Sequence, residues 1–268
     1  MKKITPQSDW LESWNYSYKY DLLEIYGDLS NLGYAYAYTN RFQHTLSFVQ
    51  QVAPPGAKIL DVAAAQGNFS LALAELGYIV TWNDLRSELI DYVKLKWEKG
   101  TINFAPGNVF TLDFPDSFDI ILILEVIEHV AHPDDFLKKI SRLVKPGGYI
   151  IMSTPNGEYI RNRLPKFSDC QDPSQFESIQ FKPDSDGHIF LLHLDEVYSL
   201  AHQAGLTVQK IQLFNNPLTS GYMKMSSLLK ILPHPVIQAV EKISSSSPLF
   251  LQSKLHTGTI VLLSCPEK

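Results

Sequence analysis

Glu125, Glu128 and His129 follow directly on the apolar run Phe118 to Leu124. If the chain turns helical there, residues three and four apart share a face and the three side chains converge. Two carboxylates and an imidazole in that arrangement suit a divalent ion, and the imidazole alone suits general-base work. Other polar groups sit at the ends of other apolar runs. Asp61 and the small-residue loop Ala63 to Gly67 end the first run, Asp84 ends the second, and Gly107-Asn108 follows the third. In an open parallel sheet, ligands gather beyond the carboxyl ends of the strands, so all four positions are expected along one edge.

The elements that must place these groups alternate along the middle of the chain, the mark of a parallel sheet covered by helices on both faces. Strands are predicted at Lys58 to Val62, Tyr78 to Trp82, Ile102 to Phe104, Phe118 to Leu124 and Tyr149 to Ser153. Helices are predicted between them at Phe69 to Leu76, Ser87 to Glu98 and Pro133 to Leu143. Asp134 and Asp135 mark the start of the last, and Lys145-Pro146-Gly147-Gly148 its stop. A helix at Leu194 to Ala204 and strands at Thr207 to Phe214 and Thr259 to Leu263 complete the pattern. The chain reads as one domain, 1–268: an aromatic cap at 1–45, a core at 46–214 with an insertion at 156–187, a lid insertion at 215–254, and a final strand within 255–268. The cap, with Trp10, Trp14 and seven tyrosines from Tyr16 to Tyr38, reads as a folded lid or as core packing. The stripe Met225, Leu228, Leu229, Leu232 reads as a lid helix on the substrate cleft, and Lys224 and Lys230 are too few to hold it on anionic lipid.

Composition narrows the function. A chain of 268 residues with 45% hydrophobic and 19% charged residues is an ordinary globular enzyme in its balance. A formal charge of -5 without any basic run weighs against a nucleic-acid substrate held by its phosphates. Cys170 and Cys265 form neither a disulfide framework nor a metal knuckle, which points to a reducing cytoplasm. No signal peptide is expected, because Asp9, Glu12 and Lys19 interrupt any apolar leader, and no run is long enough to span a bilayer.

The segment Asp61-Val62-Ala63-Ala64-Ala65-Gln66-Gly67 resembles the acidic strand and small-residue loop of class I S-adenosylmethionine-dependent methyltransferases. It opens on an acid, whereas a nicotinamide-dependent reductase would open its turn on glycine. Phe118-Asp119-Ile120-Ile121, Glu125 to Val130 and Leu143 to Gly148 are similar to the same family's fourth- and fifth-strand motifs. The resemblance covers roughly residues 45–210. It implies a Rossmann-like, seven-stranded α/β sheet. It also implies a cofactor site at Asp61, Ala63, Gly67, Asp84, Leu85, Asn108, Val109 and Glu125. Asp84 would hold the ribose hydroxyls and Asn108 the adenine amine. Ala63 and Ala65 depart from the family, which usually has glycine there to reach left-handed backbone angles and to let the cofactor approach closely.

The Glu125-x-x-Glu128-His129 pattern is similar to that of ubiquinone-biosynthesis O-methyltransferases and small-RNA 2′-O-methyltransferases, where it accompanies a bound metal. In the RNA enzymes a further histidine follows a Thr-Pro-Asn segment. Here Thr154-Pro155-Asn156 is present, and His188 in Asp186-Gly187-His188 matches that ligand. The resemblance therefore implies magnesium or manganese on Glu125, Glu128, His129 and His188, or else His129 as a simple base helped by Glu125. The expected activity is O-methylation of a small molecule such as a sugar, a phenol or a natural-product intermediate. RNA 2′-O-methylation and a non-catalytic adenosyl-cofactor-binding protein are the alternatives.

Overall fold

Phe118 to Leu124, the most apolar stretch of the core, occupies the middle of a seven-stranded sheet in the computed structural model, which describes residues 1–28, 30–180, 187–220 and 225–267. The strands are β1 (Lys58–Val62), β2 (Ile79–Asn83), β3 (Thr101–Phe104), β4 (Phe118–Leu124), β5 (Val144–Pro155), β6 (Thr207–Phe214) and β7 (Gly258–Ser264). They lie in the order β3-β2-β1-β4-β5-β7-β6. The first five run parallel, and β7 enters antiparallel between β5 and β6. The order reverses between β1 and β4, so their carboxyl ends flank a crevice, where open α/β sheets bind ligands. Ile120 to Ile123 are wholly buried, as a central strand covered on both faces requires.

Helices α1 (Glu12–Glu24) and α2 (Leu32–Val52) precede the sheet. The expected cap boundary at residue 45 falls inside α2, which continues until Pro54 and Pro55 make further helix unfavourable. Between the strands lie α3 (Asn68–Glu75), α4 (Leu89–Lys96), α5 (Pro133–Ile140) and α6 (Leu194–Gln203). In α5 a proline opens the first turn, Asp134 and Asp135 sit at the positive end of the helix dipole, and Lys138 and Lys139 at the negative end. The Lys145-Pro146-Gly147-Gly148 stop signal belongs to β5, whose pairing with β4 shifts register between Phe118 and Ile120 to accommodate it. Within the lid insertion, α7 (Ser226–Ile231), α8 (His234–Ser245) and α9 (Leu249–Leu255) are distinct helices. The parts of the two insertions at 181–186 and 221–224, with Asp186 and Lys224, lie outside the described residues. No described helix is long and apolar enough to cross a membrane.

Candidate functional site

The turn after β1 is left-handed at three alternate residues, with φ of 55° at Ala63, 48° at Ala65 and 74° at Gly67. Each alanine costs roughly 1–2 kcal/mol in that region, so the surrounding structure must hold the turn. It does so by three bonds to β2 and its end and one within the turn. Ala64 donates its backbone N–H to Asn83 (2.8 Å) and Ala65 donates to Asp84 Oδ2 (2.9 Å). Gly67 N–H closes the turn onto Ala64 O (2.8 Å), and Trp82 Nε1 donates to Ala65 O (3.1 Å). At Gly67 the glycine is also required sterically, since a Cβ would lie 2.8 Å from Val93 Cγ2. The loop thus keeps a glycine-type path with alanine at two of its positions.

Asp61 is buried beneath this turn and accepts a 2.6 Å hydrogen bond from Ser70 Oγ. Burial pushes its carboxyl up to about 7, and the nearby Asp84 adds to the rise. Asp84 is buried at the end of β2, where Arg86 grips it: backbone N (2.9 Å) and Nε (3.0 Å) to Oδ1, Nη2 (3.1 Å) to Oδ2. With Ala65 N–H these contacts occupy about as many acceptor sites as a carboxylate offers, roughly four. Asp84, Leu85, Asn108, Val109, Val62 and Ala63 line one cleft. Asn108 accepts from Phe110 N–H (3.0 Å) in a local turn, and Asn83 holds the same loop through Ala105 O and Gly107 O.

A second recess continues across Val62 and Ala63 to Asp61, Glu24, Tyr38, Arg41 and Glu125. The cap contributes groups that the sequence pattern did not single out. Glu24 accepts from Tyr34 OH (2.7 Å), Gln66 Nε2 (2.8 Å) and Asn68 Nδ2 (2.9 Å), and burial raises its carboxyl. Below it, Lys96 and Asp21 form a fully buried ion pair at 2.7 Å, with Asn68 and Tyr92 bonded to the same aspartate. These contacts fasten α1 to the N-terminal turn of α3, immediately after the loop. The signal was thin: acids three apart in an aromatic helix and an arginine in another give no reason to look across about forty residues. The cap divides between the two roles expected of it. Trp10, Trp14, Tyr18 and Tyr26 pack against the core, whereas Tyr34 and Tyr38 line the recesses.

The Glu125 segment is arranged differently from the helical expectation. Glu125 itself is left-handed, with φ of 55°, and only Ile127–His129 form a single 3₁₀ turn. The i, i+3, i+4 rule therefore does not apply. Glu125 points to Arg41 Nη1 (3.2 Å) and accepts from Ser153 Oγ (2.8 Å). Glu128, His129 and His188 instead come together, with one ligand atom from each within 4.8 Å of the others. The structure separates Glu125 from this trio. Glu128 is wholly buried; Oε2 accepts from Thr154 Oγ1 (3.0 Å), and Oε1 has no hydrogen-bond partner among the described residues. Burial and the nearby Glu125 hold its carboxyl well above the usual range. A third recess, lined by Tyr34, Ala37, Asn215, Ser220, Thr257 and Gly258, meets the second at Arg41 and Glu125. His132 bonds to Glu177 at 3.0 Å on the wall of the first cleft, away from Glu125, and His193 caps α6 outside the three recesses.

Residues 34–211 match the family model described as a methyltransferase domain. The chain belongs to that family. A ubiquinone biosynthesis O-methyltransferase of Coxiella burnetii is 36% identical over 133 residues, 44% of this chain and 56% of that protein. The corresponding Xanthomonas campestris pv. campestris protein is 34% identical over 145 residues, 47% of this chain and 61% of its own length. The chain thus spans somewhat over half the length of these relatives. Among solved structures, the N-methyltransferase NodS from Bradyrhizobium japonicum in complex with S-adenosylhomocysteine superposes with a TM-score of 0.52 at 12% identity, covering 96% of this chain and all of that one. The [4+2]-cyclase SpnF superposes at 0.54 and 15% identity, covering 85% and 81%. At such identities the likeness concerns the fold alone, and the cyclase illustrates that one fold hosts different reactions.

Proposed function

We propose that this methyltransferase-family chain binds S-adenosylmethionine across the β1 and β2 ends and methylates an oxygen of a small acceptor in the cytoplasm. One observation carries the reading: three recesses form a continuous line whose middle is the strained, latched Ala63–Gly67 turn. Adenosine fits the Asp84–Asn108 cleft, with Leu85 and Val109 beside the base and Asp84 turned to the ribose diol. For the diol to bind, the Arg86 fork must yield part of its hold on Asp84. The amino-acid end fits the recess of Asp61, Ala63, Ala65, Glu24 and Arg41, where a cation and two acids can meet a zwitterion, while Gly67 shapes the turn without lining the recess. The acceptor takes the third recess. When bound, the cofactor supplies a methyl on a sulfonium, open to in-line displacement. The chain's part is alignment and exclusion of water, which can contribute roughly 7–11 kcal/mol. His129 takes the acceptor's proton at a ring nitrogen, while Glu125 stays with Arg41 and shapes the junction of the two recesses.

The donor set of Glu128, His129 and His188, one carboxylate and two imidazoles, would hold a divalent ion, and with Glu125 on Arg41 it suits manganese better than oxygen-seeking magnesium. An orphaned buried carboxylate oxygen beside two imidazoles is what a cation would satisfy. An ion held there would lower the pKa of an acceptor hydroxyl. Glu125 would join only by leaving Arg41. The test is methyl transfer from labelled S-adenosylmethionine to phenolic and catecholic acceptors, before and after dialysis against a chelator. Turnover that is lost and then restored by magnesium or manganese supports methyl transfer with His129 as a metal ligand in place of His129 as the base. Chelator-insensitive turnover with an unimpaired His188→Ala variant removes the metal. Absence of transfer to phenols with transfer to a 2′-hydroxyl of RNA would redirect the acceptor class.

A further inference from the structure

Two of the three lid helices, α8 and α9, bury polar groups and expose apolar ones, and α7 exposes apolar side chains beside them. On α8 the inward groups are Glu241 and Ser244 together with Ile237. The Glu241 carboxylate accepts from Asn215 N–H (2.8 Å), Asn216 Nδ2 (2.6 Å) and Thr219 Oγ1 (2.7 Å), and Ser244 Oγ meets His256 Nε2 at 3.1 Å. The outward stripe of the same helix is Val236, Val240 and Ile243, at i, i+4 and i+7, with Ile243 71% exposed. Helix α9 buries Ser253 and exposes Leu249, Phe250 (68%), Leu251 and Leu255. Helix α7 buries Leu229 and exposes Leu228 and Ile231 (79%). A segment that packs only on its own domain places these classes the other way round, and exposed apolar surface gathered on consecutive elements marks a contact site.

We propose that the outer face of α7, α8 and α9 docks on a lipid bilayer bearing anionic headgroups. Charge selects this occupant. Residues 226–255 hold Lys230, Lys242 and Lys254 against a single acid, Glu241, and that acid is turned inward; the whole chain carries -5. Lys230 and Lys242 are exposed, and Lys254 lies 3.7 Å from Glu158. A second copy seated on the same face by two-fold symmetry would set lysines against lysines. A bilayer interface accepts the leucine, isoleucine and phenylalanine side chains below its headgroups and attracts the lysines to them. Lys224 and Lys230 alone are too few; α8 and α9 add Lys242 and Lys254, and the inner side of α8 reaches Asn215 of the third recess through Glu241.

The experiment is co-sedimentation of the full chain with vesicles of phosphatidylcholine alone and of equimolar phosphatidylcholine and phosphatidylglycerol. Binding is read without turnover, so the result stands apart from the proposed reaction. The chain should partition onto the mixed vesicles and release as salt rises. Ile243→Ser with Phe250→Ser should weaken partitioning by at least about tenfold, with unchanged thermal melting because both sites are exposed. Lys230→Gln and Lys242→Gln should each lower binding to the anionic vesicles about fivefold and leave the neutral ones unaffected. Two results overturn the proposal: no partitioning of the wild-type chain, or a dimer in lipid-free light scattering that the Ile243 and Phe250 substitutions dissolve.

Discussion

The turn after β1 and the turn after β4 both leave the sheet through left-handed residues, and they use that conformation for opposite ends. At Ala63 and Ala65 the side chains are only methyls, so the backbone does the work, with its N–H and C=O groups latched to Asn83, Asp84 and Trp82. At Glu125 the same conformation sorts side chains: one carboxylate goes to Arg41, and the next, three residues on, goes to a buried place beside two histidines. Strained backbone of this kind costs on the order of 1–3 kcal/mol and persists only where neighbours over-determine it. The neighbours differ. The first turn is held by hydrogen bonds to an adjacent strand, the second by a salt bridge to the cap and a hydroxyl on β5.

Substitutions in the second turn should have the largest effect, because the proposed reaction places it beside the reacting atoms. His129→Ala should lower turnover by about 10²–10⁴-fold while leaving affinity for S-adenosylhomocysteine nearly unchanged. Full activity in that variant would make the second turn merely architectural. In the first turn, Asp84→Ala removes charge-assisted bonds worth roughly 1.5–3 kcal/mol, so affinity for S-adenosylhomocysteine should fall by about ten- to a hundredfold. An unchanged affinity would mean that Arg86 keeps the carboxylate to itself.

Asp61, beneath the first turn, makes a prediction about pH. Its carboxyl rises from an ordinary 3.8 to about 7 on burial. In that window the folded chain holds a proton that the unfolded chain has released. Its contribution is fully present below pH 3.8 and is lost as pH rises through about 7. The slope is at most ~1.4 kcal/mol per pH unit. Asp61→Asn should flatten this decline in denaturant titrations and leave the variant relatively more stable at alkaline pH. The smallest effect belongs to Ala65→Gly, which relieves the left-handed strain and should raise stability by up to about 1 kcal/mol, with affinity level or modestly improved. A marked loss of affinity would show that the alanine methyl itself touches the cofactor.

Much of this was legible from residue order. Apolar runs of five to seven residues marked the central strands β1, β2 and β4, and the positions at their ends fell on one edge. The alanines were suspect in the sequence because only a left-handed turn explains the residue types usual there, and the φ values agree. The grouping of Glu125 with Glu128 and His129 was not legible. It assumed helical spacing, and one left-handed residue cancels that assumption. Glu24, Arg41 and the Asp21–Lys96 pair were also hidden, because their partners lie on other elements far along the chain and no local period records such a contact. The polarity of α8 and α9 escaped for a related reason: an apolar stripe at helical spacing does not say which side faces the domain.

The central claim is that the latched turn after β1 receives an adenosyl cofactor despite its two alanines. Titration calorimetry of the wild-type chain with S-adenosylhomocysteine tests it most directly. The account predicts saturable one-to-one binding that Asp84→Ala weakens and Ala65→Gly preserves. No heat of binding up to millimolar ligand, from a chain that melts cooperatively, would contradict it.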